Sequence, residues 1–404
     1  MRAGWEIRKL GDFFDITSSK RVFQAEWRSA GIPFYRAREI VKLAKYGFVE
    51  NELFISNEMY AAYKAKYGVP SIDDILITGV GTLGVCYLIK DTSPFYFKDG
   101  NVIWLHKKRD ILSRYVIYAF QTEDVKKQVH KNPGATVGTY TIEGAKNTII
   151  PIPSLPEQQR IVDILDREFA KIDVLKANTE KSLQAAKDLF QATLKKELEP
   201  KEGWKKTCLD DVCNIVGRIG FRGYTRNDIV PSPDDGAISL SPSNIVDGEM
   251  RYDKLTYISW FKYDESPEIK IFNGDILLVK TGSSYGKSAI IKDLPHEATI
   301  NPQLVVLKNL KIDTQYLHFF LSTDNAKKKF DEFVSGTAIP TFSQRNLGQM
   351  EICFPNPETA LGIVSKLNNL RKRLTSFQEN YQKTLILCDD LKQSLLRKAF
   401  NGEL

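Results

Sequence analysis

The sequence predicts an α+β protein made of two homologous mixed α/β domains, each followed by one long helix. Three observations carry this reading. The stretch from Pro153 to Glu199 opens with proline punctuation and then runs more than forty residues without Gly or Pro, rich in Leu, Ala, Lys, Glu and Gln. From Glu358 to Phe400 the chain again lacks Pro and carries apolar residues at alternating steps of mostly three and four, the seam of a coiled coil. A shift of 202 residues lays one stretch on the other, pairing Pro153 with Pro355, Ile161 with Ile363, Leu165 with Leu367 and Gln191 with Gln393.

Taken in order, residues 1–152 form the first domain, with short apolar runs Ile75-Leu-Ile77 and Val102-Ile-Trp-Leu105 reading as strands and helical patterns at 57–66 and 113–131. Residues 153–199 are the first long helix. Residues 200–355 repeat the first domain, with strands Ile276-Leu-Leu-Val279 and Leu304-Val-Val-Leu307 and a helix from Thr314 to Phe333. Residues 356–404 are the second long helix. The duplication extends through both domains: Trp5, Leu10, Asp12 and Ile16 recur as Trp204, Leu209, Asp211 and Ile215, and Asp74-Ile-Leu-Ile-Thr-Gly-Val-Gly81 recurs as Asp275-Ile-Leu-Leu-Val-Lys-Thr-Gly282. Gly134-Ala-Thr-Val-Gly-Thr-Tyr-Thr141 likewise recurs as Gly336-Thr-Ala-Ile-Pro-Thr-Phe-Ser343. A period near 200 residues exceeds the roughly 20 to 50 of solenoids and denotes duplicated domains.

Each long helix carries an apolar stripe and would be about 60 Å long at 1.5 Å per residue, so it requires a partner helix. The residues expected at the pairing seam are Leu165, Ile172, Leu175 and Leu189 on the first helix, and Leu367, Leu370, Leu374, Phe377, Tyr381, Leu391 and Leu395 on the second.

Length, composition and charge bound the function. The chain has 404 residues, 42% of them hydrophobic, with no apolar run long enough to span a bilayer and no signal-peptide core at its start. A cytoplasmic location is expected, with no membrane partner. The net charge is +7, and it is lopsided: residues 1–155 hold 22 Lys and Arg against 16 Asp and Glu, while residues 200–357 hold 19 against 20. Such a charge permits a polyanionic partner without requiring one. The five cysteines lack a CxxC pair and the four histidines lie near none of them, which excludes a disulfide framework or a zinc site.

Motifs that imitate enzymes fail on spacing. Gly282-Ser-Ser-Tyr-Gly-Lys-Ser288 has three residues where a phosphate loop needs four, and its counterpart Gly81-Thr-Leu-Gly84 lacks the lysine and hydroxyl. Asp234 with Glu268 and Lys270 has the residue types of a metal-dependent nuclease, but widely separated and without a match in the first domain. An Asn-Pro-Pro-aromatic methylation motif is absent from the sequence. No catalytic constellation and no metal site are expected.

Ile150-Pro-Ile-Pro-Ser-Leu-Pro-Glu-Gln-Gln-Arg-Ile-Val-Asp-Ile-Leu-Asp166 and Leu391-Lys-Gln-Ser-Leu-Leu-Arg-Lys-Ala-Phe-Asn-Gly-Glu-Leu404 resemble the helical regions of the specificity (S) subunits of type I restriction-modification systems, and the resemblance covers the full chain. It implies two target-recognition domains, each reading one half of a split double-stranded DNA sequence, with helices that pair antiparallel and fix the spacing. It further implies two modification subunits docked on the helices and supplying S-adenosylmethionine-dependent adenine methylation. Restriction subunits would add translocation and cleavage with ATP and Mg, and this chain would itself perform no chemistry. The copies depart from one another at the helix starts: Glu358-Thr-Ala-Leu361 stands in place of Pro156-Glu-Gln-Gln159, and Gly362 in place of Arg160.

Recognition residues vary with target, so candidate DNA contacts rest on chemistry: donors, cations and aromatics on glycine-rich turns at matching positions. In the first domain these are Lys20, Arg21, Arg36, Arg38, Thr82, Thr136, Thr139 and Tyr140. In the second they are Ser241, Ser243, Asn244, Lys280, Ser283, Ser284, Tyr285, Lys287, Thr337, Thr341, Phe342, Ser343 and Arg345. The alternative from another class is a coiled-coil adaptor whose duplicated domains bind proteins; salt-sensitive, sequence-selective DNA binding separates the two.

Overall fold

The central strands of each copy carry unbroken runs of apolar residues, Ile75–Ile77 and Val102–Leu105 in the first and Ile276–Val279 and Leu304–Leu307 in the second, because both faces of the sheet they form are covered. The computed structural model describes residues 4–131, 138–218, 222–335 and 339–404. The chain divides into two compact units, Met1–Thr179 with Gln382–Leu404, and Glu180–Tyr381.

In the first unit a four-stranded antiparallel sheet runs in the order Phe14–Thr17, Val102–Lys107, Ile75–Thr78, Cys86–Leu88. Alternate residues go to opposite faces: Ile75, Ile77, Ile103 and Leu105 pack with Phe14, Tyr115, Leu165 and Phe400, while Leu76, Val102 and Trp104 pack with Ile40, Ile89 and Phe97. A second sheet orders Phe54–Ile55, Ile32–Tyr35 and Tyr96–Phe97, its last pair parallel. Glu6–Lys9 pairs antiparallel with Ile149–Ile152 and ties the start of the domain to its end.

The second unit repeats the plan. Its four-stranded sheet runs Asn214–Gly217, Leu304–Lys308, Ile276–Val279, Ser288–Ile290, again antiparallel throughout. Ile276, Leu278, Val305 and Leu307 serve one core and Leu277, Val279, Leu304 and Val306 the other. The other sheet orders Ile229–Val230, Tyr257–Ser259, Gly236–Leu240 and Ala298–Ile300, with a parallel last pair. Lys205–Cys208 pairs with Glu351–Phe354 as the closing ribbon.

The aspartates that begin the repeated strands are turn-forming groups. Asp74, 1% exposed, accepts hydrogen bonds from the Ser71 N–H (2.8 Å) and the Trp104 indole (2.8 Å). Asp275 accepts the Phe272 N–H at 2.9 Å. Each therefore fixes where its strand starts.

Two helices expected as single elements are each broken in two. The 113–131 pattern divides into Ser113–Phe120 and Glu123–Val129, and the 314–333 pattern into Thr314–Leu321 and Asp324–Phe333. At each break a threonine caps the following helix: Thr122 Oγ1 accepts from the Val125 N–H and Thr323 Oγ1 from the Ala326 N–H, while both hydroxyls donate to the carbonyl three residues back at 2.7 Å. The hydrophobic pattern continues through the break, so periodicity alone did not reveal it.

The long helices span Leu155–Glu197 and Pro357–Asn401. In the first unit they pair antiparallel: Lys392 donates to Asp173 at 2.6 Å and Lys176 to Asp389 at 2.5 Å, rising numbers on one helix meeting falling numbers on the other. Ile161, Val162, Leu165 and Phe169 lie in one core with Leu396, Ala399 and Phe400. In the second unit Phe190, Leu194 and Leu198 share a core with Ala360, Ile363, Val364 and Leu367, and Lys366 donates to Glu197.

Leu165, Ile172 and Leu367 are buried as expected, and Leu370, Leu374, Tyr381 and Leu395 are half-buried. Four expected seam residues are not in the seam: Leu175, Leu189, Phe377 and Leu391 are 50–60% exposed. The buried stripe of the first helix follows Leu165, Phe169, Ile172, Leu183, Phe190, Leu194, so Leu175 and Leu189 fall one residue before the inward positions held by Lys176 and Phe190. Phe377 and Leu391 likewise precede Gln378 and Lys392. The middle of each seam thus holds polar residues, and leucine identity misplaces the register by one.

The differing helix starts have a structural cause. Gln158, 1% exposed, donates to the Pro153 carbonyl (2.9 Å) and accepts from the Leu112 N–H (3.0 Å), whereas its counterpart Ala360 is buried among apolar neighbours. Among the described residues no helix is long and apolar enough to cross a membrane.

Two outcomes follow. Leu165→Ala, which removes a fully buried seam side chain, is expected to cost about 2–5 kcal/mol of stability, whereas Leu189→Ala should stay within about 0.5 kcal/mol; denaturant unfolding of the two variants checks this. His318 is 2% exposed, with Nε2–H donating to the Ser288 carbonyl at 3.1 Å. Burial, and then the nearby Arg371 cation, push its pKa down to about 4. In the unfolded chain it takes up a proton near pH 6.5, so below that pH the unfolded state binds more protons. This stability is fully present above pH 6.5 and lost as the pH falls toward 4. His318→Gln, neutral throughout, should flatten that part of the unfolding-midpoint profile.

Candidate nucleic-acid interface

Each sheet ends in the same construction, a glycine turn held between two neighbouring chain segments. In the first unit Thr78 leads into the turn, its hydroxyl donating to the Thr82 carbonyl and accepting from the Val85 N–H (3.0 Å). The Gly79 N–H donates to the Asn101 carbonyl (2.8 Å), and the Gly79 carbonyl accepts from the Tyr140 N–H (2.9 Å). Gly81 and Gly84 have φ of +71° and +75°, which a side chain resists, and a Cβ on Gly84 would lie 3.1 Å from Val129. In the second unit the Lys280 N–H donates to the Gln303 carbonyl (2.8 Å), and the Lys280 carbonyl accepts from the Phe342 N–H (3.1 Å). Gly286, φ +82°, could not carry a Cβ, which would come within 2.8 Å of Phe330.

The main-chain bonds of the two rims therefore match, with Gly79 answering to Lys280 and Asn101 to Gln303, whereas the Thr78 hydroxyl has no counterpart at Val279. The first rim is extended by the segment after Thr17: Ser18 Oγ donates to the Val102 carbonyl (2.7 Å), Ser19 Oγ to the Phe97 carbonyl (2.5 Å), and the Lys20 N–H to the Tyr96 hydroxyl (3.0 Å).

Several candidates lie on these rims. Lys20, Arg21 and Thr82 are exposed and Thr139 half-buried in the first unit. Arg21 pairs with Asp99 at 2.9 Å. In the second unit Ser283 and Lys287 are exposed and Ser284 is half-buried. The Tyr285 hydroxyl donates to Asp331 (2.6 Å), Thr341 bonds Thr281 through their hydroxyls (2.7 Å), and Arg345 is exposed just beyond. Burial lowers the pKa of the half-buried Lys280 ammonium, so an incoming anion would find a cation poorly satisfied by water.

Other candidates are structural, and these are corrections. Tyr140 (4% exposed) bonds Thr148 through its hydroxyl at 2.6 Å, and Phe342 (2% exposed) stacks on Phe330 with centroids 5.3 Å apart. Both aromatics anchor the rim from the core instead of facing solvent. Asn244 is buried, accepting from the Ser241 N–H and donating to the Arg251 and Lys254 carbonyls, which uses both ends of its amide. The Ser241 and Ser243 hydroxyls bond each other at 2.7 Å, and Ser343 Oγ caps the following helix by accepting from the Asn346 N–H.

Arg36 and Arg38 converge on buried Glu39, and Arg38 also pairs with Glu52. Burial would raise the Glu39 carboxyl, but the hydrogen bonds from Arg36 and Arg38 prevail and hold it below its ordinary range. Thr136 and Thr337 lie outside the described residues. The nuclease-like set is engaged elsewhere, Glu268 with Arg222 (3.2 Å) and Lys270 with Asp264 (2.6 Å). Among the described residues no group of His, Cys, Asp and Glu could hold a metal ion.

Two rim residues were not singled out in the sequence, Asn101 and Gln303. The signal was available, since the 202-residue shift that aligns the long helices also aligns them.

The two copies thus present donors and cations on the same glycine turn at the end of the same sheet. The model of the type I restriction modification DNA specificity domain matches twice, at residues 2–185 and 201–385, and the chain belongs to that family. A putative type I restriction enzyme specificity subunit of Haemophilus influenzae, S.HindORF215P, is 33% identical over 163 residues, 40% of each chain. The EcoKI specificity subunit of Escherichia coli K12 is 24% identical over 269 residues, 63% of this chain and 57% of that one. The alignments thus span about two-fifths to three-fifths of these relatives' lengths. A solved chain of a type I restriction-modification system superposes with a TM-score of 0.78 at 17% identity, covering 100% of this chain and 99% of that one, and so shares the fold.

The assignment of aromatic anchors has a direct check. Phe342→Ala should cost about 3–5 kcal/mol of stability, while Arg345→Ala should change it by no more than about 0.5 kcal/mol, as read from urea unfolding midpoints.

Proposed function

We propose that the chain is the DNA-recognition subunit of a type I restriction-modification complex, each rim reading one half of a bipartite duplex site. The observation that carries this is the duplication of the glycine turn and its main-chain bonds in two domains of the DNA specificity family. Exposed Lys20, Lys287 and Arg345 supply phosphate contacts, and the turn hydroxyls and amides supply base contacts. The paired helices set the spacing between half-sites and dock two modification subunits. Those subunits bring S-adenosylmethionine and methylate adenine, restriction subunits bring ATP and Mg, and this chain carries out no chemistry. The complex works in the cytoplasm.

Co-expression with the neighbouring modification subunit in a methylation-free host, followed by sequencing for modified adenine, tests the reading. A motif of two defined halves with an indifferent spacer is expected, as are two protected half-sites in footprints of the complex. A single continuous motif, or no modification from a complex that forms and binds S-adenosylmethionine, would overturn it in favour of an adaptor role.

A further inference from the structure

We infer that Asn101 and Gln303 are the paired base-reading residues of the two rims, each selecting an adenine in its own half-site; this rests on the DNA-recognition role proposed above. Four observations lead there. First, the two occupy one position in the two copies: the backbone carbonyl of each accepts the N–H of the residue that opens the glycine turn, Gly79 and Lys280, in both cases at 2.8 Å. Around them the copies diverge, since glycine answers to lysine at the turn's first residue. At this position both rims carry a side-chain amide.

Second, the amides are not consumed by the fold. Asn101 is half-buried beside the turn, and Gln303 is exposed. The Gln303 amide nitrogen lies 3.7 Å from where a Cβ on Gly282 would stand, so a larger residue there would crowd it.

Third, the second rim orients its amide. Asn301 Nδ2 donates to Gln303 Oε1 at 3.2 Å, and Asn301 Oδ1 accepts from the Gln303 N–H at 3.0 Å. One lone pair of Oε1 is so engaged, which leaves the other lone pair and both Nε2 hydrogens for an outside group. Such support reduces the side-chain entropy lost on binding.

Fourth, the chemistry selects the base. A carboxamide carries a donor and an acceptor side by side, and adenine alone presents the complementary N7 acceptor and N6 donor on its major-groove edge. Guanine presents two acceptors there and calls for Arg or Lys, and cytosine presents a donor that calls for a carboxylate. Lys20 on the first rim and Lys287 on the second are exposed, cations of the kind that contact phosphates.

The test uses the full chain with its modification subunit and maps methylated motifs for wild type, Asn101→Ala, Gln303→Ala, and the near-isosteric Asn101→Asp and Gln303→Glu. Each alanine variant should lose adenine preference roughly tenfold or more at one position of one half-site, and the two variants should act on different halves. The acidic variants should shift that same position toward cytosine, a gain that misfolding could not produce. A split wild-type motif left unchanged by all four variants would overturn this inference alone. A wild-type complex without a split motif would overturn the DNA-recognition role and the inference together.

Discussion

Each unit depends on the seam between two helices that lie far apart in the chain. The core of the first contains Phe14, Ile75 and Tyr115 from the domain, Leu165 and Phe169 from one long helix, and Leu396 and Phe400 from the other. Phe400 packs at a tilt against Tyr115 with centroids 4.9 Å apart. The second unit is sealed alike, Tyr316 and Phe319 packing with Leu194 from one helix and Leu367 from the other. Removing the helices would therefore open the domains themselves, since burial of these side chains is the main term holding them. The ion pairs along the seam, such as Lys176 with Asp389 and Lys366 with Glu197, have at least one exposed partner and add little beyond register.

Above that base, each domain separates rigidity from chemistry. The central strands are buried on both faces and end at a turn that only glycine allows at its tight points, Gly84 against Val129 and Gly286 against Phe330. Tyr140 and Phe342 tie the rim to the core from beneath. What remains on the outside is short polar and cationic side chains on a backbone whose hydrogen bonds are made internally. Such a rim can change its exposed residues with small cost to stability, because exposed positions away from caps and turns tolerate substitution. The two copies also differ at the first residue of the turn, where buried Gly79, whose Cβ would lie 2.8 Å from the Tyr140 carbonyl oxygen, is answered by half-buried Lys280.

Much of this was legible in the sequence, for identifiable reasons. The 202-residue repeat exposed the two-domain plan because the repeated residues are those that cores and turns demand. The two apolar strands of each copy were readable as short runs bounded by Gly, Asp and Lys. The helix breaks at Thr122 and Thr323 were not, since a capping threonine leaves the apolar period intact. Nor was the seam register: Leu175, Leu189, Phe377 and Leu391 satisfy a leucine count while facing solvent. Lys176 and Lys392 stand inward, where the ammonium of each reaches a carboxylate on the other helix, Asp389 and Asp173.

The candidate rim was legible only as a region, and the reason is physical. Residue type reports what a side chain can bond, but only the fold reports whether that capacity is already spent. Asn244 and Gln303 are both amides near a strand end in the second domain. Asn244 is 5% exposed and has both ends of its amide tied to backbone groups, whereas Gln303 is exposed and held by a neighbouring asparagine with donors to spare. Arg36 and Arg345 divide in the same way, the first bound to Glu39 and the second exposed to solvent. A recognition surface is the set of polar groups that folding leaves unsatisfied, so it becomes visible only after the internal bonds of every neighbouring group have been assigned.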